Sequence, residues 1–65
     1  MASLPDSQLS ALASSIEDLS GRIASLAEQL TGEGASESAS ILFEVERTLQ
    51  MANRSVNRAR GALPG

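Results

Sequence analysis

The stretch LSALASSIEDLSGRIASLAEQL, residues 9–30, decides the fold of this chain. Its large apolar residues are spaced alternately three and four apart, and they are Leu9, Leu12, Ile16, Leu19, Ile23, Leu26 and Leu30. This spacing is the heptad pattern of a coiled-coil helix, in which positions a and d of each seven-residue repeat form an apolar seam. With Leu9 at position a, the d positions are leucines and the neighbouring e positions are small residues. The stretch predicts one long amphipathic helix.

A second heptad seam follows in the other half of the chain. Its members are Leu42, Val45, Leu49, Ala52, Val56, Ala59 and Leu63. With Leu42 at position a, the flanking g positions include Ile41 and several small residues. Both apolar stripes are therefore wider than a plain a/d seam. That width is typical of bundle helices that contact more than one neighbour.

Capping residues predict where the helices begin and end. Ser3 is a typical N-cap, and Gly32 stands where a left-handed C-terminal cap would follow the first seam. Ser36 is expected to cap the second helix. We predict one domain over residues 1–65, with helices at about 4–31 and 36–61, a turn at 32–35 and a short C-terminal tail.

A turn this short forces the two helices to run antiparallel. The a positions of one seam are then expected to face the d positions of the other, with Leu26 opposite Leu42. Two helices alone cannot bury such wide stripes, and the chain has no cysteine with which to form a disulfide. The sequence thus predicts an all-α antiparallel two-helix hairpin, a heptad coiled coil, that forms a homodimer with a four-helix-bundle core. A different helical protein partner would meet the same need.

The residue types argue against catalysis, metal binding and membrane insertion. The chain has no His, Cys, Lys or Tyr, and its serines do not occur in nucleophile-elbow or phosphate-loop motifs. Its acids lack the spacing of a calcium loop or a di-iron bundle. We expect no enzyme activity, no metal and no cofactor. No apolar run approaches a membrane span of roughly 18 residues and no signal-peptide pattern occurs, so we expect a cytoplasmic protein with no membrane partner.

Positive charge is concentrated in the second helix. Residues 1–46 hold all eight acids and one arginine, whereas the acid-free residues 47–65 hold the other four arginines, which are Arg47, Arg54, Arg58 and Arg60. Such a surface could bind nucleic acid, a phosphate ligand or an acidic protein partner. The net charge of −3 opposes general polyanion binding. The acidic turn region of a second hairpin is therefore the first expected partner of these arginines.

Ile41 and Phe43 belong to an apolar run next to the turn. Phe43 lies at position b, outside the predicted seam. The run has two interpretations, an additional contact within the oligomer or a docking point for another protein.

These patterns favour a small adaptor or regulator that acts through protein interaction and self-association. The alternative is a nucleic-acid-binding or nucleotide-binding regulator that uses the arginines of the second helix. The predicted core of the hairpin and its oligomer consists of Leu9, Leu12, Ile16, Leu19, Ile23, Leu26, Leu30, Leu42, Val45, Leu49, Ala52, Val56 and Ala59.

Overall fold

The computed structural model describes residues 3–64, and its secondary structure over this range is entirely α-helical. Helix α1 spans Leu4–Gly32 and helix α2 spans Ser36–Gly61. The helices pack side by side as a hairpin whose Cα atoms extend over 51 × 14 × 9 Å along the principal axes. The predicted all-α antiparallel hairpin is confirmed, with α1 ending one residue later than expected.

The start of α1 follows the predicted capping chemistry. Ser3 has an extended backbone, and its hydroxyl accepts a hydrogen bond from the backbone N–H of Asp6 at 3.1 Å. This bond satisfies one of the N–H groups that lack a partner in the first turn of a helix. Pro5 occupies the same turn, where its missing N–H costs nothing. Ser3 therefore fixes the entry into α1.

The turn is closed by Gly34, and the prediction that Gly32 forms the left-handed cap is wrong. Gly34 has a φ of +82°, a conformation that favours glycine, while Gly32 is still helical. The N–H of Ala35 donates to the carbonyl of Leu30 at 2.9 Å, and the N–H of Gly34 donates to the carbonyl of Thr31 at 3.2 Å. This pair of bonds is the Schellman motif, which satisfies the last carbonyls of a helix.

Helix α2 begins without a side-chain cap. Ala35 precedes the helix at the N-cap position, and its side chain makes no capping hydrogen bond. The predicted cap, Ser36, is already the first helical residue, because the chain passes directly from the Schellman motif into α2. Glu37 lies in the first turn, where its negative charge favours the helix dipole.

The helices contact each other through positions a and e rather than through positions a and d. Every a and e residue of α1 from Asp6 to Leu30 is buried or half-buried, and Ala27 and Ala39 are the most deeply buried apolar residues of the described chain. The expectation that the d leucines of α1 face α2 is wrong for a single hairpin, since all three are exposed. Small e residues such as Ala27 let the helix backbones approach closely, whereas a leucine there would hold them apart.

An ion pair marks the register at the open end of the hairpin. The Nε atom of Arg60 lies 2.6 Å from Oδ1 of Asp6. The predicted register would have placed Arg60 opposite Gln8, so the observed register differs from it by two residues along α1. Both Asp6 and Arg60 occupy e positions, so the pair belongs to the same stripe as the buried alanines.

Candidate functional site

An apolar stripe runs along one side of the hairpin without a partner; we call it the leucine face. It contains the d residues of both helices together with Ile41, namely Leu12, Leu19, Leu26, Ile41, Val45, Ala52 and Ala59. The three leucines are 44% to 53% exposed, and Ile41 and Val45 are exposed as well. Of the predicted core, the a residues face the other helix, and the d residues form this surface.

The d positions of the two helices lie on the same side of the hairpin. The opposite side carries a groove, to which both helices contribute b residues, Glu17 from α1 and Gln50 from α2. On a helix that faces its neighbour through a and e, the b and d positions flank that contact on opposite sides. Since the b residues share one side, the d residues share the other. The leucine face is therefore one continuous surface.

The leucine face and its border are almost free of charge. Within the heptad stretches 8–30 and 41–62, the d and g positions hold a single charged residue, Arg22. The remaining charges of these stretches lie at positions b, c, e and f. Exposed apolar surface that is bordered by polar residues marks an interaction site, whereas singly scattered apolar residues do not.

The exposed area of the hairpin is large for a chain of this size. Its accessible surface is 4783 Å² for a mass of 6.7 kDa. A compact monomer of that mass is expected to expose about 3900 Å². The excess of about 900 Å² is close to the area that one partner of a standard protein interface buries, about 800 Å².

The four predicted anion-binding arginines differ in their contacts. Arg60 is held across the hairpin by Asp6, whose hydrogen bond and negative charge raise the pKa of Arg60. Arg58 donates a hydrogen bond to the Ser55 hydroxyl at 3.0 Å. Arg47 and Arg54 lie on the outer side of α2 and border a shallow hollow of about 280 Å³. Within residues 3–64, neither of these two makes an ion pair.

The predicted docking residues Ile41 and Phe43 are both exposed, but they point to different sides of the hairpin. They are two residues apart, which corresponds to about 200° around a helix. Ile41 lies at position g and belongs to the leucine face, whereas Phe43 lies at position b on the side of the groove. The apolar run next to the turn is therefore split between two surfaces.

Sequence reasoning missed the polar residues between the helices. Ser20, Glu46 and Asn53 occupy e positions and line the groove. Glu46 and Asn53 are hydrophilic, so their residue types did not indicate that the e positions of α2 face α1. The available signal was the match between the two helices at e, where Asp6 can pair with Arg60 and Ala27 with Ala39.

The described residues contain no group of three potential metal ligands and no helix that is long and apolar enough to cross a membrane. No protein-family model matches the chain, and searches of curated proteins and of solved structures gave no match. The surfaces of the hairpin itself therefore indicate what the chain can bind.

Proposed function

We propose that this protein is a small interaction module that forms a homodimer through the leucine face, giving a four-helix bundle that serves as an adaptor or regulator. The observation that carries the proposal is the row of exposed leucines on a surface almost free of charge. Two such faces packed together would bury both stripes and form the bundle core. The excess accessible surface of the hairpin matches the area that this contact needs.

The distribution of charge along the hairpin favours one orientation of the two copies. The turn half, residues 23–46, carries five acids and no base, while the rest of the chain carries three acids and five arginines. Copies that place their turns at opposite ends bring the acidic half of one beside the basic half of the other. Complementary charge of this kind selects an orientation more than it adds affinity.

A charge on the leucine face tests the proposal directly. We expect Leu19→Asp to raise the dissociation constant of the dimer about 100-fold, because each copy would bury an unpaired carboxylate in the bundle core. The matched control is Met51→Asp, since Met51 is 66% exposed at an outward c position of α2. Light scattering after size exclusion measures the mass of each variant. Equal behaviour of the two variants would contradict an interface on the leucine face.

A second candidate function is phosphate-backbone binding by Arg47 and Arg54. The observation that favours it is that both side chains are exposed, outward and without an ion pair within residues 3–64. They lie away from the leucine face and would stay accessible in the dimer. The test is binding of a short RNA or DNA at low salt, with Arg47→Gln and Arg54→Gln together as the variant. Binding that falls with salt and is lost in the variant supports this function, whereas no binding at low salt rejects it.

A further inference from the structure

Two polar side chains at e positions are buried between the helices without hydrogen-bond partners. Ser20 is only 9% exposed, and its Oγ atom is closed off from solvent and has no partner within residues 3–64. The Oδ1 atom of Asn53 is in the same condition. Most buried polar atoms of folded proteins have a partner, and each exception costs free energy. Contact through the e positions therefore carries a cost at both residues.

The e positions are less suited to burial than the d positions, which the described packing leaves outside. Within the heptad stretches 8–30 and 41–62, every d residue is apolar, whereas four of the six e residues are polar or charged. One of these four is Glu46, whose side chain is half-buried. The three d leucines of α1 are 44% to 53% exposed. In a hairpin without a second copy, burial of apolar surface favours contact through d.

A limited motion connects contact through a and e with contact through a and d. Around a helix, position e lies about 40° to one side of position a, and position d lies about 60° to the other side. Each helix would therefore rotate by about 50° about its axis. The register that places a opposite d differs from the described register by two residues, or about 3 Å along the helix axis. Rotation and sliding of packed helices belong to the known repertoire of conformational switches.

Few polar contacts oppose this motion. Within residues 3–64, the only side-chain hydrogen bond that joins α1 to α2 is the one from Arg60 to Asp6. The side chains of this ion pair are 42% and 23% exposed, and ion pairs near the surface contribute little to stability. In the turn, a Cβ atom placed on Gly32 or Gly34 would meet nothing within 4 Å, so the turn has space to adjust. The contact between the helices is thus held mainly by apolar packing.

We propose that the free hairpin has a second, closed packing through positions a and d, which competes with the described one. The closed packing covers the d leucines of α1 with α2 and exposes Ser20 and Asn53 to water. The described packing through a and e is the open one, which displays the leucine face.

The two packings give the chain a means of controlling its self-association. Dimerisation selects the open packing, because only that packing presents the leucine face to a second copy. The apparent dissociation constant of the dimer rises as the open fraction of free chains falls. This consequence rests on the proposed homodimer, whereas the existence of the two packings does not.

Thiol labelling tests for the closed packing, since the full chain has no cysteine of its own. Ser20→Cys places a thiol of similar size at a buried e position, and Val56→Cys places one at a half-buried a position. Position a lies in the helix contact of both packings, whereas position e is exposed in the closed one. The reagent is dithiobis(nitrobenzoic acid), used at low protein concentration.

We expect the thiol of the Ser20→Cys variant to react at least about fivefold faster than that of the Val56→Cys variant, because local opening exposes it. A single rigid packing would give the opposite order, since Val56 is the more exposed of the two residues. Urea unfolding of each variant corrects its rate for the unfolded fraction. Equal corrected rates, or a faster reaction in Val56→Cys, would overturn the proposal.

A second substitution tests whether the buried polar atoms set the balance. Asn53→Ala, added to Ser20→Cys, removes the remaining unpaired atom and should favour the open packing. We expect the labelling of the thiol to slow several-fold and the dissociation constant of the dimer to fall several-fold. Asn57→Ala is the control, because Asn57 is exposed on the same helix. If Asn53→Ala slowed the labelling of Val56→Cys by the same factor, the effect would be general stability, which would contradict a choice between packings.

Protein concentration separates this inference from the proposed dimer. As chains associate, the labelling of the Ser20→Cys thiol should slow in parallel with the rise in mass measured by light scattering, because the dimer holds the open packing. A dimer that forms without any slowing would overturn the control of self-association by the closed packing. Fast labelling in a chain that stays monomeric at every concentration would reject the homodimer and support the second packing.

Discussion

Gly34 is the residue on which the sharp reversal of the chain depends. Its positive φ is the only one in residues 3–64, and it brings Ala35 within hydrogen-bond distance of Leu30. A side chain at this position would meet no neighbouring atom, so the constraint is the backbone conformation and not the space. Glycine is used because a Cβ atom is strained in the left-handed region.

At the residue scale, we predict that Gly34→Ala destabilises the hairpin by about 1–2 kcal/mol. The control is Gly32→Ala, because Gly32 is helical and has equally open space around its Cα. That change should leave the stability equal or raise it by up to about 1 kcal/mol. Urea unfolding at one fixed protein concentration compares the two. A loss of stability in Gly32→Ala and none in Gly34→Ala would contradict the placement of the left-handed cap at Gly34.

Single residues differ in how far the sequence determines their role. Ser3 was predictable as a cap because its chemistry is local and leads to one answer. The choice between Gly32 and Gly34 was not, because each glycine can end a helix and only the pairing with α2 selects one. The prediction of Ser36 as a cap was wrong for the same reason, since α2 begins immediately after the Schellman motif and Ser36 is already its first residue.

At the scale of the helices, the heptads predicted length, direction and the apolar sides of α1 and α2. They did not predict how far each helix is rotated about its axis. Leucines at d and small residues at e flank the same a positions, and either flank can face the neighbouring helix. Close contact through Ala27 and Ala39 favours e, which leaves the d leucines outside. The sequence predicted that the leucine face is apolar, but it did not predict that this face is left exposed in the single hairpin.

Because the helices pack through their e positions, we predict that a larger side chain destabilises the hairpin at an e position but not at an outward c position. Ala27→Leu should destabilise the hairpin by about 1–3 kcal/mol, because a larger side chain at this fully buried position must push the helices apart. Ala11→Leu is the control, since Ala11 is exposed at an outward c position of α1. Thermal unfolding followed by circular dichroism measures both variants. Equal tolerance of leucine at residues 11 and 27 would contradict packing through e.

At the scale of the whole molecule, the hairpin is long, thin and divided in charge along its length. Its turn half is acidic and its open half is basic, and this division is readable from the sequence once the turn is located. The groove could not be predicted from the sequence, because Ser20, Glu46 and Asn53 come together only when the helices are rotated to face each other through their e positions. The chain therefore presents two different sides, one apolar and one polar with a negative charge.

The charge division predicts a salt dependence of the dimer. Raising sodium chloride from 50 to 500 mM should weaken association several-fold, because screening reduces the attraction between the acidic and basic halves of two copies. The double variant Arg54→Gln with Arg58→Gln should dimerise more weakly at low salt, and its dissociation constant should change less as salt is raised. Association that strengthens with salt in both proteins would contradict the arrangement with turns at opposite ends.

We propose above all that the leucine face pairs with a second copy of this chain. Sedimentation equilibrium of the unaltered protein over a range of concentrations, up to tens of micromolar and beyond, tests it without any substitution. The predicted result is a reversible transition from one chain of 6.7 kDa to twice that mass. A mass of one chain at every concentration would contradict self-association through this face.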